Sequence, residues 1–265
     1  MFSFGFNVKP RRAGGVSYDA DAQAFIDATG ITDSTQKSAV NQLVLDLKSY
    51  GVWTKMKAIY PIVGGSASSH AVNLKTPGTY NLSFATGMTH SSTGMVSNGT
   101  SGYGNTSLST SVIGLNTGHL SYYSRTNNAS SVVEMGAYKS TVPQSYTDIG
   151  AKYGASGAYY RHNFQGAASF VANADSSGFY NGNRTASNVI KLFKNGTSIQ
   201  SLTTLANSTT TFSIYICAVN NAGTAASYSN RECAFASIGT GLTDTEAANF
   251  YTAVQAYQTT LSRNV

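Results

Sequence analysis

The stretch Val189-Ile-Lys-Leu-Phe-Lys-Asn-Gly-Thr-Ser-Ile199 decides the fold class. Two short runs rich in β-forming residues flank an Asn-Gly pair, which supplies the two positive-φ positions of a tight hairpin turn. Outward from this hairpin, similar runs recur over Lys57–Val63, His119–Arg125, Ser131–Lys139, Ala158–Asn163, Ala168–Ala172, Thr211–Val219 and Arg231–Ala236. Turn signals such as Asn98-Gly99 and Asn181-Gly182 separate them. Short strands at this spacing predict a mainly β protein, a sandwich or jelly roll.

Helices are expected only at the ends. Asp19 to about Ala28 reads as a short helix stopped by Gly30. A second opens at Thr32-Asp33, carries Ala39, Val40, Leu43, Val44 and Leu47 on one stripe, and stops at Gly51. Thr243-Asp-Thr-Glu246 is a capping box, in which hydroxyl and carboxylate each satisfy a free backbone N–H. Behind it, Phe250, Tyr251, Val254, Tyr257 and Leu261 give a terminal helix its apolar face. The expected organisation is an arm over 1–18, a helical segment over 19–56 and a jelly roll with a capped terminal helix over 57–265.

The arm begins Met-Phe-Ser-Phe-Gly-Phe, so Phe2, Phe4 and Phe6 share one face of an extended strand. Arg11 and Arg12 follow in a basic spacer before a Gly14-Gly15 hinge. Three rings on a hinged tail suit insertion into a groove or sheet edge of another chain; a strand folded back on its own domain is the alternative. No apolar run of signal-peptide or membrane-span length stands out, so the expectation is a product made and kept in a cytosol, without membrane insertion. Cys217 and Cys233 are accordingly expected as free, buried thiols.

Composition narrows the chemistry. Only 11% of the 265 residues are charged, against about 25% in an ordinary domain. Between Leu47 and Thr243 the carboxylates are Glu134, Asp148, Asp175 and Glu232 alone, which argues against paired-carboxylate hydrolysis and acidic calcium clusters. The four histidines, His70, His90, His119 and His162, lack metal-ligand spacing, and no Gly-x-Ser-x-Gly elbow or phosphate loop occurs. No catalytic, metal or cofactor residues are therefore assigned. The net charge of +6 comes from 17 dispersed Lys and Arg, a pattern that favours docking on an acidic surface over specific nucleic-acid reading. Tyr122-Tyr123, Tyr159-Tyr160-Arg161 and Phe179-Tyr180-Asn181 pair aromatic faces with hydrogen-bonding groups and are candidate glycan contacts. Strand alternation predicts that one tyrosine of each adjacent pair belongs to the core instead.

Three segments carry a resemblance: VIKLFKNGTSIQS (189–201), GFYNGNRTAS (178–187) and CAFASIGTGLTDTEAANFYTAVQAYQTTL (233–261). Together with GITDSTQKSAVNQLVLDLKSYGVWTKMKAIYPIVGG (30–65), they resemble the concanavalin A-like, laminin-G-like jelly roll as found in structural proteins of tailed bacteriophages. The Phe-alternating start also looks like the N-terminal anchors of small phage fibre and decoration proteins. The resemblance implies a virion protein of head or tail, made in the bacterial cytoplasm, docked on other virion proteins through its arm and oligomeric, with a trimer as the first expectation. Members of the family often bind glycans, so a lectin for host or mucus adhesion is the second reading and a capsule depolymerase a remote third. The chain departs from the calcium-dependent members in lacking their Asp/Asn cluster, and from glycosidase relatives in lacking Glu-x-Asp-x-x-Glu.

Overall fold

A computed structural model describes residues 17–265. In chain order it holds α1 (Ala20–Thr29), α2 (Ser34–Ser49), β1 (Met56–Tyr60), α3 (Ala67–His70), β2 (Ser83–Phe84), β3 (Met88–His90), β4 (Met95–Ser97), β5 (Gly104–Ser109) and α4 (Thr110–Ile113). There follow β6 (Gly118–Ser124), β7 (Met135–Lys139), β8 (Ser145–Gly150), β9 (Tyr159–Phe164), β10 (Gly178–Ala186), β11 (Val189–Lys194) and β12 (Thr197–Thr203). The chain closes with β13 (Ser213–Ile216), β14 (Val219–Asn221), β15 (Thr224–Ala226), β16 (Cys233–Gly239) and α5 (Asp244–Thr260). The strands form two sheets, giving a mainly β sandwich with helices at either end of the described chain.

Local chemistry sets the helix limits. The Asp19 carboxylate accepts from the Asp21 N–H, Asp33 accepts from Gln36, and Gly30 ends α1 in the left-handed conformation at φ 66°. The Thr243–Glu246 capping box forms in full at the start of α5. Asn195 and Gly196 take φ values of 49° and 76°, which turns β11 back onto β12.

The first sheet runs β12-β11-β10-β6-β16-β4-β3, and β1 pairs with β16 beside β4. Both of its faces are covered. On one side Phe179, Phe193, Tyr123 and Phe235 pack with Phe25, Leu43, Leu47, Phe250 and Val254 from the helices. On the other, Tyr122, Tyr180, Leu192 and Ile238 meet Met135, Ile149, Tyr160 and Ile216 of the second sheet. That second sheet runs β15-β14-β7-β13-β5-β2, with β8 joining β7 to β9 at its edge. The molecule is thus layered helix, sheet, sheet.

Two sequence expectations need correction. Asn181-Gly182 is no turn: it lies in the middle of β10, paired with Ser121 and Leu120 of β6. Gly182 is there because the Tyr160 ring lies where a side chain would begin, 2.2 Å from an added Cβ. Ala168–Ala172 is no strand but a strap that crosses from β9 towards β12, bridging to Ala158 through Val171 alone. β2 to β5, β8, β10 and β15 are further strands not expected from the sequence; β8 joins β7 to β9, and β10 joins β6 to β11. Cys217 and Cys233 are free and buried, and burial pushes the Cys217 thiol up to about 12. Among the described residues no helix is long and apolar enough to cross a membrane.

Burial of histidines couples this fold to pH. His119 is held down to about 4, and His70 and His162 to about 3, chiefly because charging them inside the core would forfeit hydration. Above pH about 6.5 both folded and unfolded chains carry these rings neutral. Below it the unfolded chain takes up protons that the folded chain refuses, so stability falls as the pH drops. Thermal unfolding between pH 8 and pH 5 is expected to show a level melting temperature above pH about 7 and a progressive decline below about 6.5; a flat profile down to pH 5 would contradict this.

Candidate functional site

Edge strands determine where the sandwich is accessible. At one flank the edge strand β9 of the second sheet faces β11 and β12, the edge of the first. The strap after β9 bridges the gap, with the Arg161 guanidinium donating to the Gly166 carbonyl at 3.0 Å and the Gln200 amide donating to the Ser169 carbonyl at 2.9 Å. Beneath the strap lies a hollow of about 200 Å3 lined by Tyr160, Arg161, Phe164, Ala167, Ser169, Ile190, Leu202 and Thr204. A wider, shallower hollow of about 640 Å3 adjoins it through the shared Phe164 and is bordered by Gln144, Gln165, Leu205 and Asn207.

This groove mixes apolar and hydrogen-bonding surface. Phe164, Ile190 and Leu202 give it apolar walls, and Leu205 stands 71% exposed on its rim. The amides of Gln144, Gln165 and Asn207 surround the shallow end, tied together by the Asn207 side chain, which donates to the Gln144 carbonyl and the Gln165 side chain at 2.7 and 2.9 Å. The Thr204 hydroxyl in the deeper hollow is without a hydrogen-bond partner among the described residues. Neither hollow has a carboxylate in its lining.

Behind the groove a buried ion pair fixes Arg161. Asp148 is fully buried and accepts from Arg161 through both oxygens, at 2.8 and 2.9 Å. The hydroxyls of Tyr138 and Tyr159 donate to the same carboxylate at 2.6 and 2.7 Å. The guanidinium also stacks 4.6 Å from the Tyr146 ring centre. The β8–β9 register that sets Asp148 opposite Arg161 makes this cluster possible.

Of the tyrosines expected to face a ligand, Tyr160 alone lines the groove, together with Arg161. Tyr122, Tyr123, Tyr159, Tyr160 and Tyr180 are each at most 2% exposed. Tyr122 bonds the Arg231 carbonyl, Tyr123 the Gln255 amide, Tyr159 the Asp148 carboxylate and Tyr180 the Asp175 carbonyl. Alternation sends Tyr122 and Tyr123 to opposite faces as expected, but the first sheet is covered on both, so the pair is wholly core. Tyr159 points to the outer face of the second sheet, where Tyr153 and Phe170 cover it. The arm residues Phe2, Phe4, Phe6, Arg11 and Arg12 lie outside the described residues.

The other carboxylates of the β-body are likewise committed. Glu134 pairs with Arg231 in full burial and accepts the Ala151 N–H, while Glu232 pairs with Arg125 at 2.7 Å. Asp175 caps Ser177 through its backbone and hydroxyl. The groove residues Phe164, Gln165, Thr204 and Asn207 were missed by the sequence reading. They come from two segments separated by the whole of β10 to β12 and form no motif.

No family model matches the chain, and no curated relative matches it. Solved structures do. A structure of botulinum neurotoxin type C, described by its interaction with two ganglioside molecules, superposes with a TM-score of 0.56 at 10% identity over 78% of this chain. Trypanosoma rangeli sialidase in complex with sialic acid superposes with a TM-score of 0.57 at 9% identity over 80%. The chain spans 53% of the neurotoxin chain and 38% of the sialidase chain. At such identity and coverage the likeness is one of fold alone.

The Asp148 cluster gives a test of the site's support. Asp148→Asn leaves the Arg161 guanidinium half-buried without its counter-ion and is expected to cost about 3–5 kcal/mol of stability. Urea unfolding measures it; a loss below about 1 kcal/mol would show that the pair is dispensable.

Proposed function

We propose that the chain is a non-catalytic glycan-binding jelly roll that meets its ligand at the β9–β12 groove. The observation that carries this reading is the groove itself: an aromatic and aliphatic wall beside uncharged amides, the Arg161 guanidinium and a covered, unpartnered hydroxyl, with no carboxylate in its lining. A sugar ring offers an apolar face and a rim of hydroxyls, and such a surface matches both. The deeper hollow is below the roughly 300 Å3 at which pockets for drug-sized ligands begin, so it suits one terminal sugar residue. The ganglioside and sialic acid named for the two structural neighbours lend the glycan reading support.

The broader setting we propose is a tailed-bacteriophage virion. The resemblance of the helix-plus-sandwich sequence to phage structural proteins supports it, as does the aromatic, basic start of the chain. In this reading Phe2, Phe4, Phe6, Arg11 and Arg12 dock on a capsid or tail protein, and the sandwich is displayed as an oligomer, a trimer in the simplest symmetric arrangement. A soluble lectin working without a particle is the second reading, favoured by the same groove.

Two measurements separate these. On a glycan array, the full chain is expected to bind at least one terminal sugar, and Phe164→Ala to weaken that binding about tenfold or more while the melting temperature changes little. Silence across the array, or binding unchanged in Phe164→Ala, would remove the groove from the reading. Co-sedimentation with phage particles is expected for the full chain and not for a version lacking residues 1–15; failure of both to sediment would leave the soluble lectin.

A further inference from the structure

A separate hollow lies on the opposite side of the first sheet, where α5 begins. It measures about 280 Å3 and is lined by Asn183, Thr185, Val189, Lys191, Leu242, Thr243 and Asp244. Asn183, 1% exposed, belongs to this lining. Its Oδ1 accepts the Leu242 N–H at 2.9 Å, which fixes the amide's orientation. The Nδ2 group therefore turns away from Leu242 and has no acceptor among the described residues. The amide belongs to the lining with its two N–H groups idle and covered, so a ligand in the hollow reaches them only by displacing the side chains that cover them.

The remaining walls define that acceptor's chemistry. Val189 and the Leu242 segment supply apolar surface beside the amide. The mouth is spanned by Lys191 and Asp244, which neutralise one another at 2.6 Å with their side chains 30% and 64% exposed. Exposed pairs of this kind are weakly held, so Lys191 swings aside at little cost and its charge does not select an anion. The capping hydroxyl of Thr243 is already occupied by Glu246, while Thr185 is exposed at the rim. A neutral carbonyl with a methyl group attached satisfies both the donor and the wall.

We propose that this hollow binds the acetamido group of an N-acetylated sugar, its carbonyl oxygen accepting from Asn183 Nδ2 and its methyl resting on Val189 and Leu242. The sugar hydroxyls then reach Thr185 and the Lys191–Asp244 pair at the mouth. The site lies on the helix-facing side of the first sheet, whereas the β9–β12 groove opens between the two sheets, so neither reading depends on the other.

Ligand-observed saturation-transfer NMR on the full chain tests it, with N-acetylglucosamine, glucose and N-acetyl-lysine as probes. N-acetylglucosamine is expected to bind with a dissociation constant on the order of 1 mM, with strongest transfer to its acetyl methyl and none to glucose. Val189→Phe, a change at a half-buried position at the start of β11 that fills the hollow, is expected to weaken binding about tenfold or more. Asn183→Asp, which keeps the acceptor for Leu242 and removes both donors, is expected to do the same. Absence of transfer to N-acetylglucosamine, equal transfer to glucose, or binding retained in Val189→Phe would overturn the proposal. Stronger transfer to N-acetyl-lysine than to the sugar would overturn the sugar assignment.

Discussion

The first sheet is packed on both of its faces, and most of the molecule follows from that constraint. A strand covered on one side alternates apolar with polar residues, but a strand covered on both sides must be apolar or internally bonded throughout. All seven residues of β6 and all seven of β16 are accordingly buried. Where polar residues occur on these strands they bond to one another, as His119 does to Ser237 and Ser121 does to the same Ser237 at 3.0 and 2.7 Å. The helices α1, α2 and α5 and the second sheet are thus both obligatory covers, and this layer order explains how a chain with so few charges builds two separate apolar cores.

The same constraint confines ligand surface to edges and seams. The centre of the first sheet faces no solvent, and the second sheet's outer face is closed over β8 and β9 by Tyr138, Tyr146, Tyr159 and the Asp148–Arg161 pair. Two of the openings that remain are the flank between β9 and β12, where the sheets part, and the seam where α5 starts above β10 and β11. Both lie at places where a strap or a loop interrupts the layering. Buried ion pairs hold the carboxylates Glu134 and Asp148 away from either opening. Charge in this protein serves the frame more than the ligand surface.

Much of the frame was legible in the sequence. Helix limits came from Asp19, Asp33, Gly30 and the Thr243–Glu246 box, and the β11–β12 hairpin came from Asn195-Gly196. The errors have a common origin. Asn181-Gly182 has the composition of a turn, yet its glycine serves a ring from a strand of the other sheet. Tyr122 and Tyr159 have the composition of a sugar platform, yet their hydroxyls are consumed by the Arg231 carbonyl, far along the chain, and by Asp148 on the neighbouring strand. The groove residues Phe164, Thr204 and Asn207 gave no signal, since only the meeting of β9 with β12 brings them together.

Capping and tight-turn chemistry act within three or four residues, between groups that the chain itself keeps adjacent, and the sequence by itself therefore determined the helix limits, the hairpin and the β class. Its shortage of carboxylates likewise set bounds on chemistry before any contact was known. Which strand faces were covered, which tyrosines were spent on the core and where a groove opened were decided by the tertiary structure alone. Each depends on the packing of one sheet against partners far away in sequence, and a residue's own composition does not reveal how many of its faces will be buried.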